Sequence, residues 1–388
     1  MHEGQQEFPV VKIVDNVFSL ALSKSASDIH FEPDAARLRV RLRIDGVLYD
    51  HEPVDVAFMH QILSRIKVLA NINIAEKRVP QDGKFRLAFN QQEIDLRVST
   101  FPTVFGEKIV VRILDRAHYT ISLDKLGFQD TVYEQILSLL SKSSGFFLVC
   151  GPTGSGKTTT LYGALSYLNN PQKNIITLED PIEYCIQGIT QGQIHPDAGF
   201  TFEKGMRALL RQDPDIVMVG EIRDKQTARI AIEAALTGHL VFSTIHTNDA
   251  TSVIMRLMDM GIEPFLINAA ITGILSQRLA RKICVHCKIE RAPDDHEQAL
   301  LKKFNYSAPT LFEGKGCNYC AGLGFAGRIG IFELLPMSSG LRSLIVQFPS
   351  LERIYTQAIE QGMQPLIADG LLKMQQGIIS IKELARVL

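Results

Sequence analysis

Apolar residues Val11, Val14, Phe18, Ala21 and Leu22 recur at helical spacing after Pro9 and predict an opening helix. The period then drops to two. From Arg37 to Ile44 arginines alternate with Leu38, Val40, Leu42 and Ile44, the signature of a strand with one apolar and one cationic face. Asp45-Gly46 follows as a hairpin turn. A second helix is predicted over roughly Val56 to Ala70. A second hairpin spans Lys84 to Thr100, with Ile94, Leu96 and Val98 facing one way and Asp95, Arg97 and Ser99 the other. Residues 1–118 therefore read as an α+β domain. Its 16 Lys+Arg are matched by 16 Asp+Glu, so its arginines are expected to serve local partners, and the 37–43 stripe a surface or a subunit contact.

Residues 119–125 lack sustained periodicity and are expected to form a linker. Beyond them four short, wholly apolar runs alternate with helical patterns: Phe146 to Cys150, Ile175 to Leu178, Ile216 to Val219 and Leu240 to Thr244. That alternation predicts an α/β domain over 126–280, with parallel strands joined by crossover helices. A cysteine-bearing element is expected over 281–330 and a helical subdomain over 331–388.

Composition narrows the class. Hydrophobic residues make up 46% and charged residues 21% of the 388, as in ordinary globular chains, which argues against disorder. No apolar run approaches the roughly 20 residues that cross a bilayer, and Met1 to Val11 lack a basic leader and an apolar core, so a soluble cytoplasmic protein is expected. The 41 Lys+Arg against 42 Asp+Glu create no global positive field, and no direct nucleic-acid contact is expected.

Gly151-Pro152-Thr153-Gly154-Ser155-Gly156-Lys157-Thr158, continued by Thr159, fits the phosphate-loop pattern and follows directly on an apolar run. Glycines let backbone NH groups converge on phosphate oxygens at a helix N-terminus. Lys157 is expected to reach the β- and γ-phosphates and Thr158 to place its hydroxyl on Mg²⁺. Further acids follow two later runs: Glu179, Asp180 and Glu183, then Glu221 after Ile216 to Val219. A buried central strand would deliver Glu221 to the phosphate rim, where a carboxylate orients the attacking water. His246, past the end of the next strand, is expected to sense the γ-phosphate, while His239 at its start reads as structural.

Four of the six cysteines form two C-x-x-C pairs, Cys284/Cys287 and Cys317/Cys320, with 29 residues between the pairs. Four thiolates without an open position suit a structural zinc site, with Arg281, Lys282, Lys288, Lys315 and Arg328 near enough in sequence to offset its charge. His286 reads as a bystander. Cys150 and Cys185 lie in apolar sequence surroundings and receive no role.

Taken together, these motifs resemble the ATPases of type II secretion and type IV pilus assembly. Family members carry a Walker A loop, an aspartate box, a Walker B stretch and a histidine box, similar here to 151–158, 175–183, 209–224 and 237–250. Ser27 to Pro33, Arg43 to Gly46 and Arg97 to Arg112 are similar to the family's second amino-terminal, PAS-like domain. The resemblance implies a RecA-like core hydrolysing ATP with Mg²⁺, and an amino-terminal domain that brings Arg97 and Arg112 to the nucleotide. Gly220 stands where many P-loop proteins have aspartate, so Mg²⁺ is expected to lean on Thr158, water and Glu179 or Asp180. The roles of Glu179, Asp180, Glu183 and Glu221 stay open, with Glu221 the first choice and Glu179 counted among the catalytic set. A homo-hexamer is implied, peripheral to the inner membrane through a platform protein that receives pilin-like subunits. A membrane-anchored adaptor is a further implied partner, although no counterpart of the family's leading docking domain is expected before Pro9. The tetracysteine element favours assembly or export. The alternatives are a DNA-uptake or retraction motor, or a nucleotide-gated scaffold with little turnover.

Overall fold

In the computed structural model, which describes residues 9–114, 122–347 and 349–388, the chain divides into two units, Met1–Tyr119 and Thr120–Leu388. The first opens with α1 (Pro9–Ser23), then β1 (Asp28–Pro33), β2 (Arg37–Ile44), β3 (Val47–Asp50), β4 (Val54–Asp55) and α2 (Val56–Leu69). It closes with β5 (Gln81–Phe89), β6 (Gln92–Thr103) and β7 (Gly106–Leu114). The strands form an antiparallel sheet of order β3-β2-β1-β7-β6-β5, with β4 on β2.

The period-two pattern decides which side of this sheet is wet. Leu38, Val40, Leu42 and Ile44 are buried, while the alternating arginines each find a local acid or carbonyl. Arg39 pairs with Asp50 at 2.6 Å, Arg41 with Glu32 at 2.8 Å and Arg37 with Asp34 at 3.3 Å. Arg43 reaches the Gly46 carbonyl at 2.8 Å. Asp45 and Gly46 both take positive φ, 48° and 84°, as a two-residue hairpin turn of the primed kind requires. Beneath the apolar face, Phe18 of α1 meets Phe31 edge-on at 6.5 Å.

Of the expected linker, residues 119–121 lie outside the described residues, and the remainder runs into a 3-10 turn, Leu123–Leu126, with Leu123 buried. The second unit continues through α3 (Asp130–Leu140), β8 (Gly145–Cys150), α4 (Lys157–Leu168), β9 (Ile175–Glu179), β10 (Thr190–Gln193), α5 (Phe202–Leu209), β11 (Ile216–Val219), α6 (Lys225–Leu236) and β12 (Leu240–Ile245). After α7 (Thr251–Asp259) and α8 (Pro264–Ala270) come β13 (Ile271–Ile283), β14 (Lys288–Arg291), α9 (Asp295–Lys303), β15 (Leu311–Gly314) and β16 (Phe325–Pro336). Four helices finish the chain: α10 (Ser339–Ile345), α11 (Leu351–Glu360), α12 (Leu366–Gln375) and α13 (Ile381–Val387).

The main sheet has the order β10-β9-β11-β12-β8-β13-β16, parallel throughout except for the β13/β16 pair. β8, β9, β11 and β12 are covered on both faces, which explains their uninterrupted apolar runs. One core layer holds Phe146, Leu148, Val217, Val219 and Val241; the opposite layer holds Phe147, Val149, Met218, Phe242 and Leu165. Positions 280 and 330, where the sequence suggests boundaries, fall inside β13 and β16. These two long strands belong to the main sheet and carry the cysteine element at their far ends. Among the described residues no helix is long and apolar enough to cross a membrane.

Candidate active site and metal centre

Parallel strands discharge their carboxyl ends along one edge, and Lys157, Glu221 and His246 gather there. Gly151–Gly156 links β8 to the N-terminus of α4. The loop's tightness has a visible cause in Gly151, whose φ is 145°. A Cβ there would lie 2.5 Å from the Gln277 carbonyl and 2.6 Å from Ser155 Oγ. Lys157 is buried, its Nζ donating to the Gly151 and Pro152 carbonyls at 2.9 and 3.0 Å. Burial lowers its pKa, with Glu221 acting in the opposite sense. Thr158 and Thr159 are half-buried in the first turn of α4, and Pro152, Thr153 and Gly154 form the exposed outer rim of the loop.

Glu221 follows β11, its side chain only 15% exposed. One carboxylate oxygen pairs with Arg223 at 2.6 Å and the other lies 3.6 Å from Nε2 of His246. His246 leaves the end of β12, half-exposed, and its pKa is lowered by burial and then by Lys157, against the pull of Glu221. His239 instead sets Nδ1 2.9 Å from the Ala234 carbonyl, closing the end of α6. Glu179 closes β9 and is turned into the fold. It is 3% exposed, with its carboxylate accepting from Tyr162 Oη, from Thr177 Oγ1 at 2.5 Å and from Gln191 Nε2 at 3.1 Å. Asp180 and Glu183, just beyond it, are exposed. Cys150 is buried, and burial pushes its thiol up to about 11, whereas Cys185 is exposed on the loop that leaves β9.

Arg97 and Arg112 belong to the first unit, where they face each other across β6 and β7. The same register row continues to Lys84 on one side and to Asp28 and Arg43 on the other. Opposed residues of an antiparallel pair share a face, so this row is a cationic band interrupted by one acid. Asp28 receives Arg112 Nε at 3.0 Å.

The two C-x-x-C pairs sit at two corners. Cys284 and Cys287 join β13 to β14, and Cys317 and Cys320 join β15 to β16, with α9 between. All four Sγ atoms lie within 4.8 Å of one another, and three pairs, Cys284/Cys317, Cys287/Cys320 and Cys317/Cys320, are 3.8 Å apart. A tetrahedral zinc with Zn–S bonds of about 2.3 Å needs sulfurs about 3.8 Å apart, so the donor set fits that metal. Backbone NH groups of Gly316, Cys317 and Gly324 point at Cys287 and Cys320 sulfurs over 3.2–3.3 Å, as a thiolate cluster requires. The His286 ring stacks on Tyr319 at 3.9 Å, outside the ligand set.

The chain matches the family of type II/IV secretion system proteins over residues 3–386. It belongs to that family. It is 47% identical over 97% of its length to a type IV pilus assembly ATPase, PilB, of Thermus thermophilus, and spans 43% of that protein. Its identity to the type II secretion system protein E of Pseudomonas aeruginosa is 45%, over 99% of this chain and 76% of that one. Among solved structures, the pilus retraction motor PilT with bound ADP aligns over 98% of this chain and 97% of its own, with TM-score 0.63 and 26% identity. The ATPase DotB of Legionella pneumophila aligns over 100% and 97%, with TM-score 0.71 and 20% identity, a likeness of fold. The second unit is thus the RecA-like core of this secretion family, and it carries the four-cysteine cluster.

Three further contributors belong to no motif. Gln277 of β13 is buried, its Nε2 donating to the Ser155 carbonyl at 2.6 Å and its Oε1 accepting from Thr160 at 2.7 Å, so one side chain ties the phosphate loop to α4. Arg278 beside it donates to the Asn248 carbonyl at 2.7 Å and holds the segment after His246. Tyr162 of α4 is the third, through Glu179. The available signal is the polar trio Ser276-Gln277-Arg278 after the apolar pair Ile274-Leu275, which reads as a strand end until its partner is known.

Proposed function

We propose that this chain is a motor ATPase that hydrolyses ATP with Mg²⁺ and powers assembly of pilin-like subunits in a type IV pilus or type II secretion machine. The observation that carries the reading is Glu221, a shielded carboxylate between Arg223 and His246 at the same sheet edge as Lys157. Phosphoryl transfer to water needs positioning and charge stabilisation more than a strong base. Loop NH groups and Lys157 neutralise the phosphates, Glu221 orients the water, and His246 reports on the γ-phosphate. Thr158 would hold Mg²⁺, which screens charge between the phosphates. Arg97 and Arg112 are the guanidinium forks that the first unit would add to the transferring phosphoryl group when the ring of six subunits closes. Such a subunit would work on the cytoplasmic side, held at the inner membrane by a platform protein and an anchored adaptor.

Identities of 47% and 45% to an assembly ATPase and a type II protein, against 26% to the retraction motor, support assembly or export. The tetracysteine cluster supports the same side. The test is phosphate release from Mg-ATP by the full chain, with labelled-nucleotide binding in parallel. Lys157→Ala is expected to abolish both, and Glu221→Gln to retain binding while losing about a hundredfold or more of turnover. Turnover indifferent to Glu221→Gln would point to a nucleotide-gated scaffold.

A further inference from the structure

Glu179 stands at the end of β9 in the acidic stretch from which catalytic carboxylates were expected, yet its surroundings are those of a fastener. Side chains alternate along β9. Ile176 and Leu178 enter one core layer and Ile175 the other, so Thr177 and Glu179 point with Ile175 toward α4. There the carboxylate meets Tyr162, whose ring packs edge-on against Tyr184 at 4.7 Å. Gln191 of β10 completes the box. Its Nε2 reaches Glu179 at 3.1 Å and the Tyr184 carbonyl at 3.1 Å, and its Oε1 accepts from the Ile186 amide at 2.7 Å. Three donors thus converge on two oxygens that are almost fully buried. Burial raises the Tyr162 phenol well above its ordinary value, and the Glu179 charge raises it further, so the phenol remains a donor.

We propose that Glu179 is a positioning residue, whose carboxylate fastens α4 through Tyr162 and, through Gln191, holds the 180–189 loop that bears Asp180 and Glu183, without touching nucleotide or metal. The inference rests on the ATPase reading for its kinetic readout only. α4 begins at Lys157 and Thr158, and the loop begins at Asp180, so a single buried junction fixes the acids relative to the phosphate loop. A misplacement of about 1 Å in such a constellation lowers turnover while leaving binding largely intact.

The test uses the full chain and four variants: Glu179→Gln, Glu179→Ala, Tyr162→Phe and the Tyr162→Phe/Glu179→Ala pair. A glutamine keeps the junction, because its amide oxygen accepts from Thr177 and Gln191 while its NH₂ donates to the Tyr162 oxygen. Glu179→Gln is therefore expected within about threefold of the parent kcat, and Tyr162→Phe and Glu179→Ala about tenfold down with KM for ATP changed less than about twofold. The double variant is expected to match Glu179→Ala. Amide exchange read by mass spectrometry supplies a second measurement, with faster exchange expected around Ile186 in Tyr162→Phe. If Glu179→Gln were as inactive as Glu179→Ala, with more Mg²⁺ needed for half-saturation, the carboxylate would be a catalytic or metal-holding group and the proposal would fail. Unchanged turnover and unchanged exchange in Tyr162→Phe would also overturn it. Turnover that survives Lys157→Ala would instead sink the ATPase reading, and the exchange result would still decide the junction.

Discussion

At the scale of single residues, the phosphate loop depends on a glutamine far away in sequence. Gln277→Leu would preserve volume but leave the Ser155 carbonyl and Thr160 hydroxyl without partners, at about 1–3 kcal/mol for each buried polar group. The expected outcome is an ATP KM raised about tenfold or more with the fold retained, checked by steady-state kinetics beside thermal melting. His246 gives a pH signature. Its pKa lies below 6.5, because burial and then Lys157 disfavour a second positive charge, so the ring is neutral at pH 7 and charges only on acidification. A charged ring would lock onto Glu221, so kcat/KM is expected to fall on the acid side of that pKa. In His246→Gln the acid limb should vanish. The places of the phosphate-loop residues and of Glu221 at strand ends were legible from sequence, since each follows a wholly apolar run. The partners of Glu179 were not, because a residue 17 positions earlier, on a helix, meets it only after the sheet has formed.

At the scale of elements, period and burial agree closely. The alternating arginine strand, both hairpins and the four apolar runs emerge where their patterns put them, because each strand's environment is either one-sided or two-sided along its whole length. β13 and β16 were harder to read. Their polar outer halves carry Arg278, Arg281, Lys282 and Arg328, which disguise two long sheet strands as loop around a metal element. That element makes its own prediction. The purified chain is expected to hold one zinc, measured by atomic emission. Cys317→Ser should lose the metal and open residues 284–287 and 315–324 to protease, since the two corners lose their shared tie while Arg291 still pairs with Glu297 and Glu313 across β14, α9 and β15. Binding of labelled nucleotide by the same variant should persist.

At the scale of the whole molecule, two compact units carry different charged groups. One carries the phosphate loop and Glu221, and the other a band of cations in one register row. If the second role is charge neutralisation during transfer, Arg97→Ala and Arg112→Ala should each lower kcat about tenfold or more while nucleotide Kd moves less than about threefold. Titration with a fluorescent ATP analogue alongside phosphate release would check this. Arg112→Ala also strips Asp28 of a 3.0 Å partner, so Asp28→Asn in the same background separates a local structural loss from a catalytic one.

β13 pairs with β16 in unbroken register from Gly273 opposite Pro336 to Arg281 opposite Arg328, and then slips a step before Ile283 meets Phe325. The cysteine knuckles lie beyond that slip and Gln277 before it. A slip of this kind bends a strand and adds twist, so the knuckles take their direction from that bend, whereas Gln277 sits on the regular part of the ladder.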